Sequence, residues 1–305
     1  MDGLPIPLDP RALGPTTLRA FPLAYGCWRF AGTSVSEARE KVEAALAVGI
    51  DLFDHADVYG EDGAAEDLFG RVLAESPGLR RRMLLATKGG IVKGVPYDAS
   101  PLHLAAACEA SLKRLRTDGI DLYQIHRPDL LTHPQHLAAA LERLRQDGKI
   151  REVGVSNFTR SQFEALQQYL PFPIAAHQPE FSPCCLAPLH DGVLDQCMER
   201  NVTPLAWSPL ARGRLGLSLE AARREPDGGR LAGLIEKLDL LAEREEVSRA
   251  AVVLAWILAH PSRPIPILGT QRLDRIRDSA DAFKVHLSRR DWYAVLESAQ
   301  GERLP

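Results

Sequence analysis

Four side chains, Asp54, Tyr59, Lys88 and His126, could between them deliver a proton to a carbonyl oxygen. A phenol in isolation ionises near pH ~10, so at neutral pH Tyr59 holds its proton and yields it reluctantly. A neighbouring ammonium favours the phenolate and is expected to lower that pKa towards the working range. Lys88 is the candidate ammonium and Asp54 its natural mate, since buried lysines and aspartates are rare without a partner. His126 could donate a second hydrogen bond to the same oxygen. A set of this kind protonates an alkoxide as it forms and needs a hydride from elsewhere.

These groups act together only if the chain brings them to one place. Short apolar runs recur between longer amphipathic stretches and give candidate strands at 24–28, 52–54, 83–88, 122–126, 153–157, 175–179, 203–208 and 265–268. Helical spacing fills the intervals at 36–48, 100–115, 134–146, 161–169, 189–200 and 273–283. Ser100-Pro101 is a capping residue followed by proline at the first helical position, and Asp147-Gly148 is a stop signal. Strict alternation predicts a parallel sheet with helices outside. An open doubly wound sheet would carry a glycine-rich fingerprint after its first strand. Here that strand runs into Tyr25-Gly26-Cys27-Trp28, so the expected fold class is α/β, a closed (β/α)8 barrel. Such barrels place reactive groups at the C-terminal ends of their strands. Three consecutive strands end in Asp54, Lys88 and His126, with Tyr59 in the loop after the first of these.

Outside the repeat, residues 17–22 are expected to form part of an N-terminal hairpin closing the barrel bottom. Residues 210–230, rich in Gly and Arg, read as one long loop able to move over the site. Residues 231–260 read as two helices joined near Val247-Ser248, and 288–299 as a C-terminal helix. The 305 residues, 45% apolar, can bury a substantial core and are expected to form one domain, 1–305. A net charge of -3, with no like-charge run beyond Arg80-Arg81-Arg82, gives no footprint for nucleic acid. Five cysteines without C-x-x-C spacing suit reduced thiols better than a disulfide framework or a zinc site. The N-terminal residues have no continuous apolar stretch, so neither a secretory leader nor a membrane span is expected, and the protein reads as cytoplasmic. Nothing in the sequence sets an oligomeric state.

The stretch Gly49-Ile50-Asp51-Leu52-Phe53-Asp54-His55-Ala56-Asp57-Val58-Tyr59-Gly60 resembles the signature of the aldo-keto reductases. So do Ala86-Thr87-Lys88, residues 122–126, Gly154-Val155-Ser156-Asn157-Phe158 and Trp207-Ser208-Pro209-Leu210, in this order on successive strands. The run His126-Arg127-Pro128-Asp129 resembles a bacterial subgroup of that family. The resemblance implies reduction of a small aldehyde or ketone with NADPH, Tyr59 as general acid, and Asp54, Lys88 and His126 in support. It implies Ser156, Asn157 and Gln178 at the nicotinamide carboxamide and Trp207 stacked on the nicotinamide face. Ser208, Leu210 and Gly213 would line the pyrophosphate. Gly269, Thr270 and Arg275 would form the 2′-phosphate turn, with Asp278 and Ser279 at the adenine. Gly26, Cys27, Trp28 and Asp54 would join the cofactor side, and Trp28, Tyr59 and His126 the substrate pocket. Gly269 replaces a lysine common in NADPH-preferring members, and Ser279 a usual asparagine.

Two other functions fit parts of this pattern. A barrel aldolase would use Lys88 as a Schiff-base nucleophile, but Asp54 would keep that amine protonated. A silent cofactor-sensing barrel could dispense with Tyr59 or His126, and both are present. His55 is expected on the opposite face from Asp54. Arg127 and Asp129 are expected to pair locally, and Cys184-Cys185 to be two ordinary thiols.

Overall fold

The computed structural model describes residues 3–305. A short antiparallel hairpin, β1 (Arg11–Ala12) and β2 (Arg19–Ala20), comes first. Eight strands then alternate with helices: β3 (Ala24–Gly26), β4 (Leu52–Asp54), β5 (Leu84–Gly89), β6 (Ile120–Ile125), β7 (Ile150–Ser156), β8 (Ala176–Gln178), β9 (Thr203–Ala206) and β10 (Ile265–Leu268). They pair in parallel and close into a barrel, β10 bonding to both β9 and β3. The helices are α1 (Val35–Ala47), α2 (Ala64–Glu75), α3 (Pro101–Leu115), α4 (Pro134–Gln146), α5 (Arg160–Gln167), α6 (Val193–Arg200), α7 (Leu219–Ala222), α8 (Gly228–Arg244), α9 (Arg249–Leu258), α10 (Leu273–Asp278) and α11 (Arg289–Gln300). Among the described residues, no helix is long and apolar enough to cross a membrane.

The floor of the barrel is apolar. Leu13, Leu18 and Ala20 of the hairpin join Ala24, Leu52, Ala86, Leu122, Ala176 and Leu205 in one buried cluster. Gly14 makes the close approach possible: its φ is +59°, and a Cβ there would lie 2.4 Å from the Ala175 carbonyl oxygen. Its N–H donates to Thr203 Oγ1 at 2.7 Å. Strand side chains alternate between faces, so two residues further along come Asp54, Lys88, Gln124 and Gln178. A polar layer therefore stands directly on the apolar floor.

Several boundaries differ from the sequence reading. Helix α2 went unrecognised because its N-cap is Gly63 in the left-handed region, with no capping side chain to announce it. The expected long loop at 210–230 is built instead from a 3₁₀ segment, Ala211–Gly216, and the short α7. Arg214 ties it to Glu225 and Asp227, and Arg249 donates to the carbonyls of Leu215 and Leu217 at 3.0 and 2.7 Å. The segment expected as helix from 189 begins only at Val193, because Gly192 at φ +82° separates it from a 3₁₀ turn at Ala187–Leu189. His126, Asn157 and Ser208 lie just past their strands, Asn157 and Ser208 with φ of +58° and +51°.

Candidate active site

The upper end of the barrel is organised around Lys88, which is fully buried. An ammonium has three N–H donors and no acceptor. Lys88 Nζ directs them to Asp54 Oδ2 at 2.6 Å, the His55 carbonyl at 2.8 Å and the Tyr59 hydroxyl at 3.2 Å. Burial pulls Lys88 down, but Asp54 and Tyr59 outweigh it and hold the ammonium above its ordinary value. An amine protonated and bonded in this way has no lone pair for a Schiff base, which removes the aldolase reading.

The Tyr59 oxygen accepts from Lys88, and its own proton has no protein acceptor among the described residues. Burial raises the phenol, and Lys88 lowers it; the net position stays above the ordinary value. The expected lowering is therefore corrected. Lys88 offsets the cost of burying a phenolate without reversing it, so Tyr59 keeps its proton at neutral pH. The Tyr59 and His126 rings meet edge to face, with centroids 5.9 Å apart. Burial, then Lys88 and Arg127, push His126 down to about 2, leaving a neutral imidazole with one N–H to offer.

Asp54 is fixed on its other side by two amides. Gln124 and Gln178 both donate to Asp54 Oδ1, at 3.2 and 3.0 Å, and Gln178 also donates to Gln124 Oε1 at 3.2 Å. Gln124 escaped the sequence reading because an amide does no acid–base chemistry. Its signal was positional: a polar residue two places after Leu122 and two before His126, inside an apolar run. His55 faces outward as expected, edge-on to Phe69 at 4.5 Å, and contributes only its carbonyl to the site. Behind Lys88, burial and the nearby Glu66 push Asp57 up to about 7.

The proposed cofactor residues fall into two groups. At the strand ends, Ser156 Oγ donates to the Gln178 carbonyl at 2.9 Å, and Asn157 Nδ2 donates to Ser156 Oγ at 2.8 Å and the His126 carbonyl at 3.3 Å. Trp207 Nε1 donates to Asn157 Oδ1 at 3.0 Å, so this tryptophan is tied through Asn157 to the His126 backbone. Gln178 Oε1 receives no protein donor among the described residues and is the open acceptor here. At the turns expected to meet the cofactor phosphates, a Cβ on Gly213 or Gly269 would meet nothing within 4 Å, so both turns face open space. Buried Gln271 Oε1, two residues on from Gly269, has no partner among the described residues. Arg275 is exposed and forms no ion pair among the described residues, whereas Arg272 is paired with Asp274. This arrangement of open glycine turns, an orphan acceptor and a free arginine fits a dinucleotide.

Several of the other expected contacts are not available as side-chain contacts. Ser279 is buried, its hydroxyl donating to the Ile276 carbonyl at 2.6 Å. Cys27 is fully buried in the cluster between barrel and helices, and its N–H donates to the Asp54 carbonyl. Gly26 is explained by close approach: a Cβ would lie 2.8 Å from Ile267 Cγ2. Tyr25 is fully buried core, its hydroxyl donating to the Thr270 carbonyl at 3.0 Å. Trp28 is 56% exposed at the lip, with Arg29 over its ring. Asp278 is exposed, and Leu210 packs partly buried against the α8–α9 core. Ser208 caps nothing with its side chain; its carbonyl accepts from Ala211. The expected Arg127–Asp129 pair does not form, because Asp129 accepts from Ala99 N, Leu131 N and Thr132 Oγ1 instead. Cys184 and Cys185 are free, half-buried thiols.

Fold and site together define a closed (β/α)8 barrel whose upper end is arranged to hand a proton to an oxygen atom. The chain belongs to the aldo/keto reductase family, whose model matches residues 22–299. It is 45% identical over 312 aligned residues, covering 100% of both chains, to a 6-dehydroglucose reductase of Novosphingobium aromaticivorans. It is 30% identical to the NADP(+) aldo-keto reductase yakc of Schizosaccharomyces pombe, over 91% of this chain and 87% of the relative. Among solved structures, glycerol dehydrogenase from Gluconobacter oxydans matches with a TM-score of 0.84 and 28% identity, covering 100% of this chain and 97% of that one. This kinship makes the chain an oxidoreductase, with carbonyl reduction as its class of reaction.

Proposed function

We propose that this protein, acting as one barrel domain, reduces aldehydes or ketones to alcohols with NADPH, Tyr59 serving as general acid. The bound dinucleotide supplies the hydride. The observation that carries the reading is the use of all three Lys88 donors on protein acceptors, which orients the Tyr59 oxygen and leaves its proton for a ligand. The substrate oxygen would sit between Tyr59 and the neutral His126, receiving two hydrogen bonds as negative charge develops. Tyr59 then transfers its proton to the alkoxide, and the phenolate formed is stabilised by Lys88 until a proton returns from solvent. Asp54, held by Gln124 and Gln178, keeps the lysine charged through the cycle. Gln178, Ser156 and Asn157 would hold the carboxamide, Trp207 would flank the nicotinamide ring, and Thr270 with Arg275 would meet the 2′-phosphate.

The relative named as a 6-dehydroglucose reductase makes an aldehydo sugar a natural member of the substrate panel. The test is absorbance-monitored oxidation of NADPH against reactive aldehydes, that sugar class and simple ketones. Turnover of at least one carbonyl class is expected. Tight NADPH binding without turnover of any of them would favour a cofactor-sensing protein instead.

A further inference from the structure

Arg127 follows His126 directly and is half-buried, yet it forms no hydrogen bond or ion pair among the described residues. Its sequence neighbour Asp129 is already engaged by three donors and does not neutralise it. The guanidinium lies 5.8 Å from the centroid of the Trp207 ring. Trp207 is in turn fixed through Asn157 to the carbonyl of His126. Arg127 is thus held on a rigid platform at the same rim as the proton donors. The second guanidinium near that ring, Arg212 at 5.5 Å, differs because it has a partner in Glu180 at 3.4 Å. A guanidinium carries five N–H donors in a planar fork that suits paired oxygen acceptors. Stacking on an aromatic face orients the fork without using those donors.

We propose that Arg127 is the specificity-determining residue of the site, binding oxygen acceptors at the far end of a carbonyl substrate whose reacting end lies at Tyr59 and His126. The inference rests on the reductase reading above. The acceptors are carboxylate oxygens or sugar-like hydroxyls, and a substrate bearing neither forgoes the contact.

Three aldehydes of similar size separate these cases: 4-carboxybenzaldehyde, 4-(hydroxymethyl)benzaldehyde and 4-methylbenzaldehyde. The wild type should favour one or both oxygenated compounds over the methyl compound in kcat/KM. In Arg127→Gln that preference should shrink at least about tenfold for the carboxylate, or several-fold for the hydroxymethyl compound, mainly through KM. Which ratio moves distinguishes an anionic tail from a hydroxylated one. Arg127→Lys, which keeps the charge but loses the fork, should retain part of a carboxylate preference and little of a hydroxyl one. Ratios unchanged in Arg127→Gln, or a uniform loss on all three aldehydes, overturn the proposal and leave Arg127 a support for His126. Absence of NADPH oxidation with every aldehyde in the wild type is a different result, since it sinks the reductase reading itself.

Discussion

Lys88→Met removes the ammonium while keeping a side chain of similar length, and its consequences follow from the bonds it breaks. Asp54 Oδ2, the His55 carbonyl and the Tyr59 oxygen all lose their donor at once. Asp54 keeps Gln124 and Gln178 on Oδ1, but its charge is then buried without a counter-charge. Breaking a buried pair from one side costs about 3–5 kcal/mol, largely the penalty of the stranded partner. A chain of 305 residues unfolds with an entropy of about 0.6 kcal/mol/K, so the melting temperature should fall by about 5–8 °C. Adding Asp54→Asn removes the stranded charge, and the double variant should recover at least half of the loss. Neither variant should regain activity, because the phenolate formed on proton transfer has no cation beside it. Circular-dichroism melts of the wild type, both single variants and the double variant give the cycle. A Lys88→Met protein melting within about 1 °C of wild type would refute the buried pair, as would a double variant no more stable than the sum of the singles.

Acid should destabilise the fold. His55, His126 and His177 are pushed by burial to about 3, 2 and 4, so each is neutral in the fold where the unfolded chain takes up a proton below pH ~6.5. Asp57 acts oppositely, holding a proton up to about 7 in the fold against ~3.9 unfolded. With His260, which burial also pushes to about 4, the balance is an uptake of about three protons on unfolding at pH ~5, so the melting temperature should drop from pH 7 to 5, and a flat or rising one contradicts this assignment. On the cofactor side, Arg275→Ala should shrink the preference for NADPH over NADH at least about tenfold by removing charge-assisted contacts. Preference retained in that variant, measured as a ratio of kcat/KM values, would move the role to another residue of the turn.

The barrel was legible in the sequence because each strand is an apolar run bounded by turn residues, and because Asp54, Lys88 and His126 recur at successive strand ends. The residues proposed as catalytic announced themselves by type. Their supports did not. Gln124 is an amide within an apolar run, and the His55 contribution is a backbone carbonyl, which no residue type encodes. The net position of the Tyr59 phenol was misjudged for a related reason: sequence names the neighbouring charge but not the depth of burial that outweighs it. Likewise, the 210–230 segment is ordered by Ala211, Leu215 and Ala222, buried in the same cluster as residues of α8 and α9, together with Arg214 and Arg249 reaching partners that only the folded chain supplies.

The central claim is that Tyr59 delivers the proton, and Tyr59→Phe tests it most directly. Phenylalanine keeps the ring and its edge contact with His126 but removes the one proton that Lys88 leaves unengaged. Single-turnover reduction of a reactive aldehyde by preformed enzyme–NADPH complex isolates the chemical step, with NADPH affinity measured separately by titration. General acid catalysis contributes ~10²–10⁴-fold, so the rate should fall by at least about a hundredfold while NADPH affinity stays within about threefold. A Tyr59→Phe enzyme that reduces the aldehyde within a few-fold of the wild-type rate would contradict the account.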